Sequence, residues 1–69
     1  MNILVTGAYG FVGKNLCAAL KNIRDGKDKT RNIQIEEIFE YDIVTPDEYL
    51  SEYCKRADFV FNLAHDFLQ

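Results

Sequence analysis

Three glycines at a regular spacing are the residues of this sequence with the clearest chemical purpose. Gly7, Gly10 and Gly13 fall within the segment TGAYGFVG, each three residues after the last. The first permits a positive φ in a sharp turn, and the second leaves room for another group to approach the backbone. The third lets a helix pack closely on a strand. Free N–H groups at a helix start favour an anion. Three glycines at this spacing, after a buried strand and before an amphipathic helix, therefore predict a phosphate-binding turn rather than an ordinary glycine-rich bend.

The residues between these glycines are expected to act mainly through their backbone. N–H groups from Tyr9 to Val12 are predicted to point at the phosphates, with the helix dipole adding a favourable term. We expect the Phe11 side chain to join the core at the helix start and the Tyr9 side chain to be partly exposed. Lys14 could reach a phosphate, although a solvated side chain is the simpler interpretation.

Two acidic residues, Glu40 and Asp42, stand at the end of the second predicted strand. In dinucleotide-binding sheets an acidic residue in this place accepts hydrogen bonds from ribose hydroxyls, which favours NAD over NADP. Asp42 is the better candidate because it follows the strand end, where a side chain can reach the crevice. Contact with the adenine edge and a simple turn role are the alternatives for it. Asp58 is expected to cap the third strand instead of contacting a cofactor.

Strands and helices alternate along the hydrophobic pattern. Apolar segments at 3–5, 33–41 and 59–63 predict strands, and the segments between them have helical spacing. The order β-α-β-α-β predicts an α/β fold with a parallel sheet of Rossmann type. Right-handed crossovers are expected to place both helices on one face of that sheet.

Both helices have recognisable start signals or apolar stripes. The first is expected to begin at Phe11 and to bury a stripe formed by Val12, Leu16, Ala19, Leu20 and Ile23. For the second, Thr45 suits the N-cap, Pro46 the first helical position, and Glu48 completes a capping box. The residues of the second helix expected to face the core are Leu50, Tyr53, Cys54 and Ala57.

Composition narrows the class of protein. The 69 residues allow one domain, and 48% hydrophobic with 28% charged residues is a globular composition. A net charge of −3 with scattered basic residues gives no reason to expect nucleic acid or a membrane as partner. The sequence shows no signal peptide, so a cytoplasmic location is expected. Cys17 and Cys54 are predicted to be buried thiols in a reducing compartment.

The strands at 3–5 and 59–63 are apolar on both faces, whereas helices on a single face would leave the other uncovered. We therefore expect an incomplete βαβαβ sheet, with residues 1–69 forming the N-terminal half of one domain and no second domain. A homo-oligomer through the uncovered face would be another way to cover it.

The segments TGAYGFVGKNL and ADFVFNLA together resemble the extended short-chain dehydrogenase/reductase family, the NAD-dependent epimerases and dehydratases. Members share a T-G-x-x-G-x-x-G turn and a D-x-V-x-x-L-A segment ending a later strand. The short stretch between the two segments is similar to that of bacterial capsular-polysaccharide enzymes, the UDP-linked acetamido-dideoxyhexulose reductases. The resemblance extends from residue 1 to residue 64.

This resemblance implies an NAD or NADP cofactor and, in the full-length relative, a UDP-sugar substrate that is reduced or epimerised. The cofactor-binding residues that it implies, together with the glycine turn, are Gly7, Tyr9, Gly10, Phe11, Val12, Gly13, Asp42, Leu63 and Ala64. The family's catalytic Tyr-x-x-x-Lys pair is absent from the sequence, so no catalytic residue is assigned and the chain alone is expected to be inactive. His65, the single histidine, has no identifiable partner.

A function of another class is also open. A non-catalytic NAD(P)-sensing or protein-interaction module would use the same turn without needing a catalytic pair. A reading frame continuing into a Tyr-x-x-x-Lys segment would favour the enzyme. A stop codon after Gln69 with a folded product would favour the module.

Overall fold

The computed structural model describes residues 1–26 and 33–63. Its elements, in chain order, are β1 (Asn2–Thr6), α1 (Phe11–Arg24), β2 (Glu37–Tyr41), α2 (Asp47–Arg56) and β3 (Phe59–Asn62). The three strands form one parallel sheet in the order β2-β1-β3. The predicted element order and the incomplete Rossmann-like α/β sheet are therefore confirmed. No helix within the described ranges is long and apolar enough to cross a membrane.

Strand β1 lies at the centre of the sheet and is its most buried element. Leu4 and Val5 are fully buried, and each pairs with a neighbouring strand on both sides. Leu4 pairs with Phe39 of β2 and with Val60 of β3. Side chains alternate along a strand, so Val5 faces one side of the sheet and Leu4 the other.

The two helices lie on opposite faces of the sheet, so the prediction that they share one face is wrong. Cys17 of α1 packs in a buried cluster with Val5. On the other face, the Tyr53 ring of α2 stacks on Phe39, with 4.8 Å between ring centroids. Because β1 is central, one crossover leads from β1 to β2 and the next leads back past β1 to β3. Right-handed crossovers in opposite directions place their helices on opposite faces.

Strand β3 is the least covered strand, although each face of the sheet carries a helix. Phe59 is 50% exposed and Val60 is 46% exposed. Helices α1 and α2 contact mainly β1 and β2. Within the sheet, the exposed large apolar side chains therefore lie on this edge strand, and not across one whole face as expected.

The second predicted strand is shorter than the 33–41 segment. Residues 33–36 precede the strand, and the Glu36 amide donates a hydrogen bond to the Met1 carbonyl at 2.9 Å. Ile35 is nevertheless buried in the cluster beneath α1. Of residues 33–36, only Ile35 is thus buried, since Ile33 is 48% exposed, and strand pairing with β1 begins only at Glu37.

Helix α1 begins at the predicted residue, but its buried stripe is rotated from the predicted one. Three residues of the predicted stripe pack on the core, Leu16, Leu20 and Ile23. Gly13 and Cys17 are also buried, whereas Val12 and Ala19 are exposed. The absence of a side chain at Gly13 lets the helix approach the strand closely along that line. Burial of Cys17 is confirmed.

Helix α2 begins one residue later than the capping signals predict. Pro46 is extended, with ψ 141°, and stands at the N-cap position without a side-chain capping bond. The predicted Thr45 capping box is therefore wrong. Cys54 is exposed, which corrects its predicted burial, and Tyr53 is only partly buried.

Candidate functional site

The turns that follow β1 and β2 meet Leu63, the residue after β3, at the carboxyl edge of the sheet. The Ala8 amide donates to the Tyr41 carbonyl at 3.1 Å, and the Leu63 amide donates to the Thr6 carbonyl at 3.1 Å. These bonds tie the turn after β1 to the ends of both neighbouring strands. A cleft of about 300 Å³ opens there, lined by Gly7, Tyr9, Gly10, Asp42 and Leu63.

Each glycine of the turn meets a different steric demand. Gly7 has φ 73°, the left-handed conformation that the turn was predicted to need. A Cβ on Gly13 would meet backbone, the Gly7 carbonyl oxygen and, at 2.7 Å, the Ala8 carbonyl carbon. A Cβ on Gly10 would meet only the Gly7 oxygen, at 3.6 Å. Backbone conformation therefore requires glycine at 7 and close packing requires it at 13, whereas Gly10 lines the cleft and has space for a side chain.

The backbone amides of the turn divide into engaged and free groups. The Tyr9 amide donates to Asp42 Oδ2 at 2.8 Å, and the Gly10 amide donates to the Gly7 carbonyl at 3.3 Å. The next amides, those of Phe11, Val12 and Gly13, have no acceptor among residues 1–26 and 33–63. The prediction that amides 9–12 are all free is therefore corrected. The amides of Tyr9 and Gly10 are engaged, and those of Phe11 and Val12, in the first helical turn, are free within the described residues.

No side chain of the first turn neutralises the positive end of α1. Gly10 occupies the N-cap without a side-chain bond, and the first turn contains no acidic residue. Phe11 is 85% exposed, so its predicted place in the core is wrong. An uncapped helix N-terminus with free amides favours an anion through its hydrogen bonds and its dipole.

Asp42 stands at the mouth of the cleft, as its position after β2 predicted. Its Oδ1 accepts the Ile43 amide at 2.7 Å. The Asp42 amide donates to Thr45 Oγ1 at 3.1 Å, and the Thr45 amide returns a bond to the Asp42 carbonyl at 2.8 Å. This closed turn fixes the carboxylate beside the glycine segment. The Asp-x-x-Thr spacing, typical of side-chain-bonded turns, was the available signal for it.

The other acidic candidate, Glu40, does not line the cleft. Its Oε2 lies 2.8 Å from Lys21 Nζ of α1, and this bond raises the pKa of Lys21. Burial, followed by the nearby Glu40 carboxylate, raises the pKa of the Cys17 thiol. Glu40 therefore joins β2 to α1 on one face of the sheet.

The remaining sequence candidates lie in three different places. Leu63 lines the cleft, whereas Ala64 and His65 lie outside the described residues. Asp58 stands at the opposite edge, where its Oδ2 accepts the Asn2 amide at 2.7 Å; it caps the start of β1 and not, as predicted, the third strand. Sequence reasoning missed Asn62, whose Oδ1 accepts the Thr6 hydroxyl at 2.7 Å and joins β3 to β1 beside the cleft.

Comparison with known proteins gives one match. The model of the NAD dependent epimerase/dehydratase family matches residues 3–67, nearly the whole chain. Searches of curated proteins and of solved structures gave no match. The matched range contains the glycine turn, Asp42 and Leu63, the residues that meet at the cleft. The chain therefore belongs to the NAD dependent epimerase/dehydratase family.

Proposed function

We propose that this chain binds the pyrophosphate of a nicotinamide dinucleotide at the N-terminus of α1. The observation that carries the proposal is the bare first turn, where the amides of Phe11 and Val12 have no acceptor in the described part of the chain. The first helical turn has no acidic residue of its own that would compete with a phosphate; the nearby Asp42 carboxylate accepts the Tyr9 amide. The turn lies at the carboxyl edge of a parallel sheet, where such folds bind nucleotides, and the family is NAD dependent.

The cleft gives the dinucleotide a direction. We propose that Asp42, after the edge strand β2, accepts hydrogen bonds from the adenosine ribose; its place in the cleft beside Tyr9 supports this. We propose that the nicotinamide half lies toward Leu63, which follows β3 and lines the same cleft, and toward Ala64, the next residue in the chain. A carboxylate beside the ribose would repel a 2′-phosphate, so we propose NAD in preference to NADP.

We further propose that residues 1–69 supply the cofactor-binding part of a nucleotide-sugar reductase or epimerase acting by hydride transfer. Support comes from the family match and from the absence of a Tyr-x-x-x-Lys pair in the sequence. The short spacing between TGAYGFVG and ADFVFNLA supports the finer proposal of a UDP-linked sugar of capsular polysaccharide synthesis. The cytoplasmic location and a homo-oligomer stay predictions of the sequence.

The test is calorimetric titration of NAD⁺, NADP⁺, ADP and adenosine into the full gene product that contains these residues. We expect NAD⁺ and ADP to bind, with adenosine at least about tenfold weaker because it lacks the phosphates. Gly10→Ala adds a methyl group in allowed backbone (φ −74°, ψ 175°) without an internal clash. It should therefore keep the unfolding midpoint while weakening ADP binding. Equal affinity for ADP and adenosine would contradict the proposal.

A further inference from the structure

We propose that Asp42 is the positioning residue of the glycine turn, and that it sets the direction of the phosphate-binding amides by holding the Tyr9 amide. This inference rests on the proposed function and assigns to Asp42 a role that does not require contact with ribose. The bond between the Asp42 side chain and the Tyr9 amide joins the C-terminal end of β2 to the turn before α1.

The geometry shows how few bonds fix the turn between Gly7 and α1. Ala8 is anchored to β2 through its amide, and the Gly10 amide makes a long bond of 3.3 Å within the turn. Between them, the Tyr9 amide makes the shorter 2.8 Å bond to Asp42 Oδ2. In the described ranges, Asp42 is the side chain that accepts an N–H from this turn. A bond to a carboxylate is also stronger than a neutral one.

The Asp42 carboxylate can serve as an anchor because it is itself held. Its Oδ1 accepts the Ile43 amide at 2.7 Å, and its backbone forms two bonds with Thr45. A side chain oriented by its own turn loses little freedom when it accepts the Tyr9 amide, and the turn is thereby organised before any ligand arrives.

The two roles of Asp42 predict opposite effects on a ligand without ribose. Asp42 carries a negative charge beside the proposed phosphate site. If it acted only on ribose, its removal would leave inorganic pyrophosphate binding unchanged or improve it by lifting repulsion. If it positions the turn, its removal weakens pyrophosphate binding despite the loss of that repulsion.

The experiment compares Asp42→Ala with Asp58→Ala in the full gene product. Both aspartates accept a backbone amide across the sheet, at 2.8 and 2.7 Å, but from opposite edges. We expect Asp42→Ala to weaken both ADP and inorganic pyrophosphate at least about fivefold, whereas Asp58→Ala changes neither by more than about twofold. If the alanine variant folds poorly, Asp42→Asn replaces it in the test. Asparagine keeps the size and one acceptor oxygen, so we expect a smaller loss of affinity.

Amide hydrogen exchange in the ligand-free protein gives the second readout. We expect Asp42→Ala to speed exchange of the Tyr9 amide about tenfold, in line with the loss of one charge-assisted hydrogen bond, and Asp58→Ala to leave it unchanged. Unchanged Tyr9 exchange together with unchanged pyrophosphate affinity in Asp42→Ala would overturn the positioning role alone. Failure of the unmodified protein to bind ADP would overturn the proposed function instead.

Discussion

Helices α1 and α2 begin at the same edge of the sheet, yet their first turns are chemically opposite. The first turn of α2 carries Asp47 and Glu48, which offset the positive end of its dipole. The first turn of α1 carries Phe11 and Val12, exposed at 85% and 62%, and has no acidic residue. The positive end of α2 is thus offset by its own first turn, whereas that of α1 is not.

Helix α1 gives up more local stability at its start than α2, because neither helix has a side-chain N-cap bond and α2 alone has acidic residues in its first turn. An acidic residue in the first turn is typically worth about 0.3–1 kcal/mol, and a side-chain N-cap about 1 kcal/mol. Helix α1 has neither, although it is the longer helix, with 14 residues against 10. Places where a sequence departs from its own structural optimum are where function is expected.

The largest expected effect concerns the third residue of each helix. Gly13→Val in α1 would press a side chain onto the backbone of Gly7 and Ala8, which cannot yield without moving β1. We expect a loss of about 3 kcal/mol or more in the free energy of unfolding, measured by urea denaturation. Tyr49, the matching residue of α2, is exposed, and Tyr49→Ala should cost about 1 kcal/mol. Equal losses at the two helices would contradict the close packing inferred for α1.

The next prediction concerns the turns that lead into the helices. Gly7 has φ 73°, whereas no non-glycine residue among the described positions, including the turn before α2, has a positive φ. Gly7→Ala should therefore destabilise the protein by about 1–2 kcal/mol, as judged by thermal unfolding. A neutral outcome would mean that this turn can relax to an ordinary conformation.

Placing an acidic residue at the second position of α1 directly tests the comparison between the first turns of the two helices. Val12→Glu gives α1 the acidic residue that α2 has in Glu48. We expect a gain of about 0.5 kcal/mol in stability together with about a tenfold loss in ADP affinity, since the carboxylate repels phosphate. Val12→Gln, similar in size but neutral, is the control and should keep more of the affinity. Stability and affinity moving in the same direction would count against an anion site here.

The smallest expected effect lies at the start of α2. Tyr41 donates its hydroxyl to Asp47 Oδ1 at 3.0 Å, and this bond raises the pKa of Tyr41 above its usual 10.0. The raised pKa means that the folded state favours the protonated phenol. The contribution of this bond to the free energy of unfolding is therefore complete below pH 10.0 and is lost as the pH rises through the raised pKa. Asp47→Asn should lower that pKa toward 10.0 in an ultraviolet titration, with ADP affinity unchanged.

Features encoded by neighbouring residues could be predicted from the sequence. The glycine turn, the start of α1 at Phe11 and the burial of β1 follow from local spacing and hydrophobicity. Which face of the sheet each helix covers does not follow from local spacing. It depends on whether the third strand adds beside β2 or returns to β1. Thr45 resembles an N-cap residue, but its hydroxyl is taken by the Asp42 amide, which no helix signal reveals.

The site was predictable in its residues more than in its bonds. Asp42 and Leu63 reach the cleft because parallel strands end at a common edge. The bond between Asp42 and Tyr9 joins residues that are 33 positions apart, and it reverses the expectation that the Tyr9 amide is free. The exposure of Phe11 depends on the rotation of α1 about its axis, which packing at Gly13 determines.

The central place of β1 also has a consequence for how the chain assembles. Its partners on one side lie about 56 positions further along the sequence, as between Asn2 and Asp58. During synthesis, the backbone groups on one edge of β1 therefore have no strand partner until nearly the whole described chain has emerged. Closing that long loop is a slow, non-local step, so the late arrival of β3, and not the early formation of α1, should limit the rate of folding.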